Sequence, residues 1–345
     1  MFLLCSIFSV SEVIMRVDYS EMVSVFERVL NKYGIEGEDG KLCARLFADA
    51  SRDGVYSHGL NRFPTFINFI EKGHIDVTKR AVKTLSLGSL ERWNGQKGPG
   101  PLNATIAMNR AIELAKEHTV GVVGLSNTNH WMRAGNYGLM AAAADCIGIM
   151  WTNTIQNMPA WGGKDRKIGN NPIVFAVPHG DDPVLLDCAM SMFSYGKLDN
   201  LSRQGKETPV DAGYDRNGNV TRNPGEVAAS MQVFPMGYWK GSGLSIVLDL
   251  IASTVAGGKS TSDVGLDPET EVCQFFMAID LSRLPDRKEI DERIEHTLCD
   301  IRSSIPRDPS HPVHVPGDGT RKIREDSMKN GVLVDDEIWA KVKAM

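Results

Sequence analysis

Apolar residues recur along this chain with two different periods, and the change between them separates its regions. From Asp18 the pattern is helical. Met22, Val25, Phe26, Val29 and Leu30 return on one face, Asp18 stands in a capping position with Glu21 three residues on, and Gly34 ends the run. Leu42, Leu46, Phe47 and Ala50 predict a second amphipathic helix, and Phe66, Ile67 and Ile70 a third over about Pro64 to Lys72. Residues 15–100 thus read as a helical N-terminal lobe.

Beyond Asn103 the rhythm alternates. Asn103 reads as the cap of a helix carrying Ile106, Ala107, Ile112 and Leu114, and Val120–Leu125 as a buried strand. A helix over Tyr137 to Ala144 and a strand over Ile147–Thr152 repeat the pair. Ile173–Val177, Val184–Asp187 and Cys273–Ile279 are further β-type runs. This alternation predicts the α/β class over residues 101–280. Leu198–Val227 is rich in Gly, Asp, Asn and Arg and lacks apolar periodicity, so an irregular surface excursion is expected there. Leu244–Val255 reads as a strongly apolar helix and Asp335–Lys343 as a short closing one. Residues 281–345 are expected to pack back on the N-terminal lobe.

With 345 residues, 42% hydrophobic and 23% charged, the chain has the balance of a folded protein of two or so lobes. A net charge of −5 with scattered basic residues gives no field for nucleic acid. Cysteines at 5, 43, 146, 188, 273 and 299 form no CxxC, a scatter that suits buried thiols in a reducing compartment better than a disulfide framework. Residues 1–14 are apolar but lack a positive n-region and a small-residue cleavage site, and are too short to cross a bilayer. They read as an upstream extension with Met15 as the natural start. A cytoplasmic location is expected.

Several chemistries have no anchor. No GxGxxG follows a predicted strand, no Tyr stands four residues before a Lys, and GxSxG and HExxH are absent. Gly258-Lys259-Ser260 follows a helix instead of opening one and is not a phosphate loop. His311-Pro-Val-His314 has a metal-like spacing without a third ligand, and no metal is expected.

Four polar constellations remain. Ser57, His58 and Arg62 lie within six residues: a ketone reduction needs a proton donor near neutral pH, which histidine supplies, and a keto acid needs its carboxylate held, which an arginine fork does. The same string also suits a helix-entry turn. Ser126 through Arg133 follows a strand directly, where His130 and its neighbours either meet substrate oxygens or satisfy a βα loop. Asp187 ends a strand, placed to orient a histidine or a ribose or simply to cap the next turn. Gly237 through Gly243, with Lys240, opens the apolar helix; it suits a pyrophosphate site or a tight glycine turn equally.

The strings GVYSHGLNRFPTFI, NTNHWMRAGNYG, GIMWTN, MPAWG, IGNNPI, MSMFSYG and PMGYWKGSGLSIVLDLIA resemble the 2,3-diketo-L-gulonate reductases, a branch of the type-2 malate/lactate dehydrogenase (sulfolactate dehydrogenase-like) family. The resemblance runs from about Met15 to the C-terminus. It implies a non-Rossmann α/β fold and a homodimer with active sites near the subunit interface. It also implies a nicotinamide cofactor, NADH with NADPH as the alternative, and a small sugar-acid substrate. His58 matches the family's proton donor. The family's cofactor contacts fall on Pro183, Val184, Leu185, Leu186, Asp187, Cys188 and Ala189, and on Trp239 and Lys240. A third contact, a Gly-His-Glu tripeptide in the family, falls on Gly317, Asp318 and Gly319, where only the first glycine is kept.

The expected reaction is reduction of 2,3-diketo-L-gulonate to 3-keto-L-gulonate by hydride transfer to C2. His58 protonates the oxygen, Arg62 holds the carboxylate and His130 polarises the carbonyl region. The alternative within the family is another 2-keto or 2-hydroxy acid: malate, lactate, ureidoglycolate, sulfolactate or an imino acid. The rival from another class is a sugar-acid binding protein without catalysis.

Overall fold

The computed structural model describes residues 15–345; the segment 1–14, read above as an upstream extension, lies outside the described residues. The chain forms two compact units, one of residues 15–67 with 320–345 and the other of residues 68–319.

The first unit opens with β1 (Arg16–Val17), α1 (Tyr19–Lys32) and α2 (Gly37–Arg52), and α3 (Phe63–Glu71) begins in it. Asp18 caps α1 as expected, accepting from the N–H groups of Ser20 and Glu21. The apolar stripes of the helices meet through rings: Phe26 stacks on Phe63 at 4.4 Å and Phe47 meets Phe63 edge-on at 5.0 Å. Between α2 and α3 the chain makes two 3-10 turns, Tyr56–His58 and Leu60–Arg62.

The second unit is built on a seven-stranded sheet. In chain order its elements are β2 (Val82–Leu87), β3 (Leu90–Asn94), α4 (Gly100–His118), β4 (Val120–Thr128), α5 (Gly135–Ala143), β5 (Cys146–Thr152), β6 (Met158–Pro159), β7 (Arg166–Ile168), β8 (Ile173–Val177) and β9 (Val184–Cys188). Then come α6 (Tyr195–Arg203), β10 (Gly213–Tyr214), β11 (Val220–Thr221), α7 (Pro224–Ser230), α8 (Trp239–Ala256), α9 (Thr261–Val264), β12 (Val272–Asp280) and α10 (Arg287–Arg302). The strand order is β2-β3-β4-β12-β5-β8-β9, and every pairing except β3 with β4 is antiparallel. The fold is the expected non-Rossmann α/β one.

Central β12 is buried on both faces, so its sequence is nearly continuous in apolar residues. Phe276 and Ala278 enter one core with α4 and α5, while Cys273 and Phe275 enter the other, where Phe275 stacks on Trp151 at 4.0 Å.

Three local expectations are corrected. Asn103 is no cap: α4 starts at Gly100, and the buried Asn103 side chain accepts from Ala81 N–H and donates to Gly95 O and Thr128 Oγ1. Its amide joins segments far apart in sequence, a demand no local pattern displays. Residues 198–227 lie largely at the surface, as expected, but are not irregular throughout: they carry most of α6, β10, β11 and the start of α7, with Leu198, Ala212 and Val227 in the core and Asn223 capping α7. Elements this short bury one or two apolar residues each, too few to register as periodicity. Finally, β2 and β3 add strands within residues 15–100; β2 is a solvent-exposed edge whose mixed sequence carries no strong strand signal.

Helix α8 is inverted. Its buried positions include Gly241, Ser242, Ser245, Ala252 and Ala256, while Leu244, Ile246, Val247, Leu250 and Ile251 are exposed. On the sheet face it lies against, Phe175 and its register partner Leu186 are exposed too.

α11 (Asp318–Asn330) starts at the end of the second unit and passes at Thr320 into the first, which closes with β13 (Val332–Leu333), paired antiparallel with β1, and α12 (Asp336–Ala344), capped by Asp335. Asp53, wholly buried, accepts Arg324 Nε at 2.8 Å and Arg52 Nε at 2.8 Å.

Candidate active site

In the first unit, His58 and Arg62 end successive 3-10 turns, both half-buried. Buried Leu60 and Phe63 pin these turns, and Leu60 N–H donates to Ser51 Oγ at 2.8 Å. Ser57 Oγ lies 2.9 Å from His58 Nδ1. That contact orients the ring through Nδ1.

The remaining candidates belong to the second unit. After β4 the chain turns sharply at Met132, whose φ is 64°. Met132 N–H donates to His130 Nδ1 at 2.9 Å, which makes the neutral ring an Nε2–H donor. The loop is pinned from below: Asn129 donates to Lys97 O and Gly98 O, and Tyr137 Oη donates to Trp131 O. Arg133 is buried and donates to Asn136 Oδ1 at 3.2 Å.

The segment Pro183 to Ala189 is largely β9. Asp187 accepts from Gly135 N–H at 2.8 Å, across the start of α5. The carboxylate sits among Gly135, Leu185 and Arg133, yet part of the residue stays open to solvent. Crowding by protein pushes its titration upward, against the opposing pull of the Gly135 N–H and Arg133.

Gly317 lies along the same segment. Its φ is +106°, and a Cβ there would come within 3.4 Å of Pro183 O and 3.6 Å of Leu185 N. Past Ala189 the chain runs beside residues 234–236: Met192 N–H donates to Phe234 O and Met236 N–H to Met190 O, each at 2.7 Å. Trp239 and Lys240 follow directly, both exposed, with Lys240 Nζ 5.9 Å from the Trp239 ring centre.

The structure thus gathers Gly317, the 183–189 segment and the chain entering α8, and puts Asp187 on α5. His58 and Arg62 form their own pair in the other unit. Sequence reading singled out Arg133 within its own loop but did not find it or Gly135 as neighbours of Asp187, because about fifty residues intervene. Among the described residues no cluster of three or more His, Cys, Asp or Glu is placed to hold a metal, and no helix is long and apolar enough to cross a membrane. Lys259 of the discarded phosphate-loop look-alike pairs with Glu271 at 2.9 Å.

Comparison with known proteins defines the class. The malate/L-lactate dehydrogenase family matches residues 17–343. A 2,3-diketo-L-gulonate reductase of Mannheimia succiniciproducens is 45% identical over 96% of this chain and 100% of its own, and one of Haemophilus influenzae is likewise 45% identical over the same shares. Among solved structures, a malate dehydrogenase of Pyrococcus horikoshii superposes with a TM-score of 0.87 at 30% identity, covering 96% of this chain and 94% of that one. The protein is an oxidoreductase acting on CH–OH donors. More narrowly, it belongs to the malate/L-lactate dehydrogenase family.

Proposed function

We propose that this enzyme reduces 2,3-diketo-L-gulonate to 3-keto-L-gulonate with NADH. The observation that carries the reading is the 45% identity to 2,3-diketo-L-gulonate reductases along their whole length. A bound reduced nicotinamide supplies the hydride for the C2 carbonyl. His58, held by Ser57 at Nδ1, delivers a proton from Nε2 to the carbonyl oxygen. Arg62 binds the substrate carboxylate as a fork, and His130 offers an Nε2–H to the carbonyl region.

The second unit offers groups that fit a dinucleotide. Trp239 presents an exposed ring for stacking, Lys240 a cation for phosphate, and Asp187 a carboxylate for ribose hydroxyls. Gly317 lets backbone approach Pro183–Leu185 without a side chain between. NADPH is the alternative cofactor. The 30%-identical malate dehydrogenase favours a second substrate reading, a simple 2-keto or 2-hydroxy acid.

The reading includes a homodimer, for which α8 supplies the support. Phe175, Leu186, Trp239, Leu244, Ile246, Val247, Leu250 and Ile251 are all exposed apolar side chains. Together they leave on the order of 700 Å² of apolar surface, against about 800 Å² per partner in a standard interface. The α8 part of the patch, Leu244 to Ile251, carries the single charge of Asp249, and two copies can meet on it across a two-fold axis. A cytoplasmic location goes with the reading, on the ground of the scattered cysteines.

The test is oxidation of NADH and NADPH by purified protein with a panel of keto acids. Rapid turnover with 2,3-diketo-L-gulonate and little with pyruvate or oxaloacetate is expected. Preference for a simple keto acid transfers the substrate to the second reading, and silence with both cofactors removes the catalytic one.

A further inference from the structure

Helix α10 grips both loops that border the 183–189 segment. Glu295 Oε2 lies 2.8 Å from His179 Nε2, in the β8–β9 connection four residues before Pro183. Seven residues further along the same helix face, Arg302 Nη2 donates to Asp318 Oδ1 at 2.9 Å, with Nε 3.5 Å from Oδ2. Cys299, between them, donates to Glu295 Oε1 at 3.1 Å.

The two grips are unequal. Glu295 is mostly exposed, so its pairing with His179 is weakened by solvent. The Asp318 side chain is only 9% exposed and also accepts Val315 N–H at 3.1 Å, while His314 Nδ1 stands 3.7 Å away. Its carboxylate thus ties its own loop to Arg302. The residue immediately before it, Gly317, is the one lying against Pro183 and Leu185.

We infer that Arg302 and Asp318 are a positioning pair for the nicotinamide cofactor: the pair clamps the 315–319 loop along Pro183–Leu185 and acts through Gly317, not by touching the cofactor. The inference rests on the proposed cofactor reading of those two segments. Because the contact is made by backbone, its placement depends on what holds the loop, and Arg302 reaches Asp318 from α10 with a two-pronged guanidinium. A loop displaced by a fraction of an ångström loses complementarity to a bound dinucleotide without disturbing proton delivery.

The experiment compares Arg302→Ala, Arg302→Lys, Asp318→Asn and the exchange Arg302→Asp/Asp318→Arg with the unmodified enzyme. NADH dissociation constants are read by quenching of tryptophan fluorescence, alongside KM, kcat and melting temperature. Arg302→Ala is expected to raise both the NADH dissociation constant and its KM about tenfold, the effect of about 1.4 kcal/mol, with kcat and the keto-acid KM within about twofold. Arg302→Lys should fall between, since an ammonium keeps the charge without the fork, and the exchange should recover part of the loss. Unchanged NADH affinity in both Arg302 variants overturns the pair's role. So does a loss of kcat and melting temperature with NADH affinity intact, which marks a purely structural contact. Should Arg302→Ala fail to fold, the Lys and Asn variants decide by the same readouts. An unmodified enzyme that binds neither NADH nor NADPH overturns the cofactor reading itself, and the pair's role with it.

Discussion

The carboxylate of Asp187, on β9, accepts the backbone N–H of Gly135 at the first turn of α5, 2.8 Å away. Ala134, the residue at the cap position, supplies no side-chain oxygen, so a strand end fifty residues later does the capping. The helix's positive end in turn stabilises the carboxylate, and the pair ties the sheet edge to the loop that carries His130. A side chain at position 135 has little room. Its Cβ would stand 3.0 Å from Asp187 Oδ2, 3.1 Å from Leu185 Cδ2 and 3.3 Å from Arg133 Nε. Gly135→Ala is therefore expected to destabilise the protein by about 1–2 kcal/mol through overpacking, read by urea unfolding. Unaltered stability would mean that Asp187 and Leu185 give way freely.

His58→Ala should reduce turnover by about 10²–10⁴-fold, the scale of a positioned acid. Ser57→Ala, which removes only the group on Nδ1, should cost far less, because the imidazole remains. Steady-state kinetics with saturating substrate separates the two. Equal losses would argue that Ser57 does more than orient the ring.

Arg62→Lys should raise the KM for the keto acid about tenfold with kcat nearly kept, because an ammonium cannot reproduce two parallel hydrogen bonds. Kinetics unchanged in this variant would return Arg62 to the structural role its helix-entry turn also allows.

Glu91 sets an acid limit on stability. It is buried on β3, and burial opposes its ionisation, but Arg110, Trp93 and Lys83 outweigh that and hold the carboxyl down at about 2. With a folded value below the ordinary 4.5, its contribution is full above that pH and is lost as pH falls from 4.5 towards about 2. Glu91→Gln should cost about 1.5–3 kcal/mol at neutral pH and flatten the acid limb of a stability–pH curve. An unaltered acid limb would assign that pH dependence to other carboxylates.

The exposed face of α8 predicts the assembly. Val247→Glu with Leu250→Glu places charges in the apolar patch, and light scattering should then report one chain's mass where the unmodified protein gives two. A dimer that survives both charges would move the interface elsewhere.

Much of this protein was legible from its sequence, for local reasons. Asp18 announces α1 because a cap acts on the next three residues, and the strands β4, β5 and β12 show because burial on both faces demands nearly unbroken apolar runs. The apolar string 244–255 marked a helix correctly, but nothing in it told which side would be buried: α8 hides Gly241, Ser242, Ser245, Leu248, Ala252 and Ala256 and shows Leu244, Ile246, Val247, Leu250 and Ile251. Asn103 looked like a cap because capping is the local use of asparagine, whereas its amide actually joins residues 81, 95 and 128. The sequence by itself determined most of the long elements and the class, since these follow from composition and short spacing. Only the tertiary structure decided that Asp187 caps α5 and that Gly317 lies along Pro183–Leu185. It alone also joined Arg302 to Asp318. Contacts between segments fifty or more residues apart are fixed by packing, which no periodicity encodes.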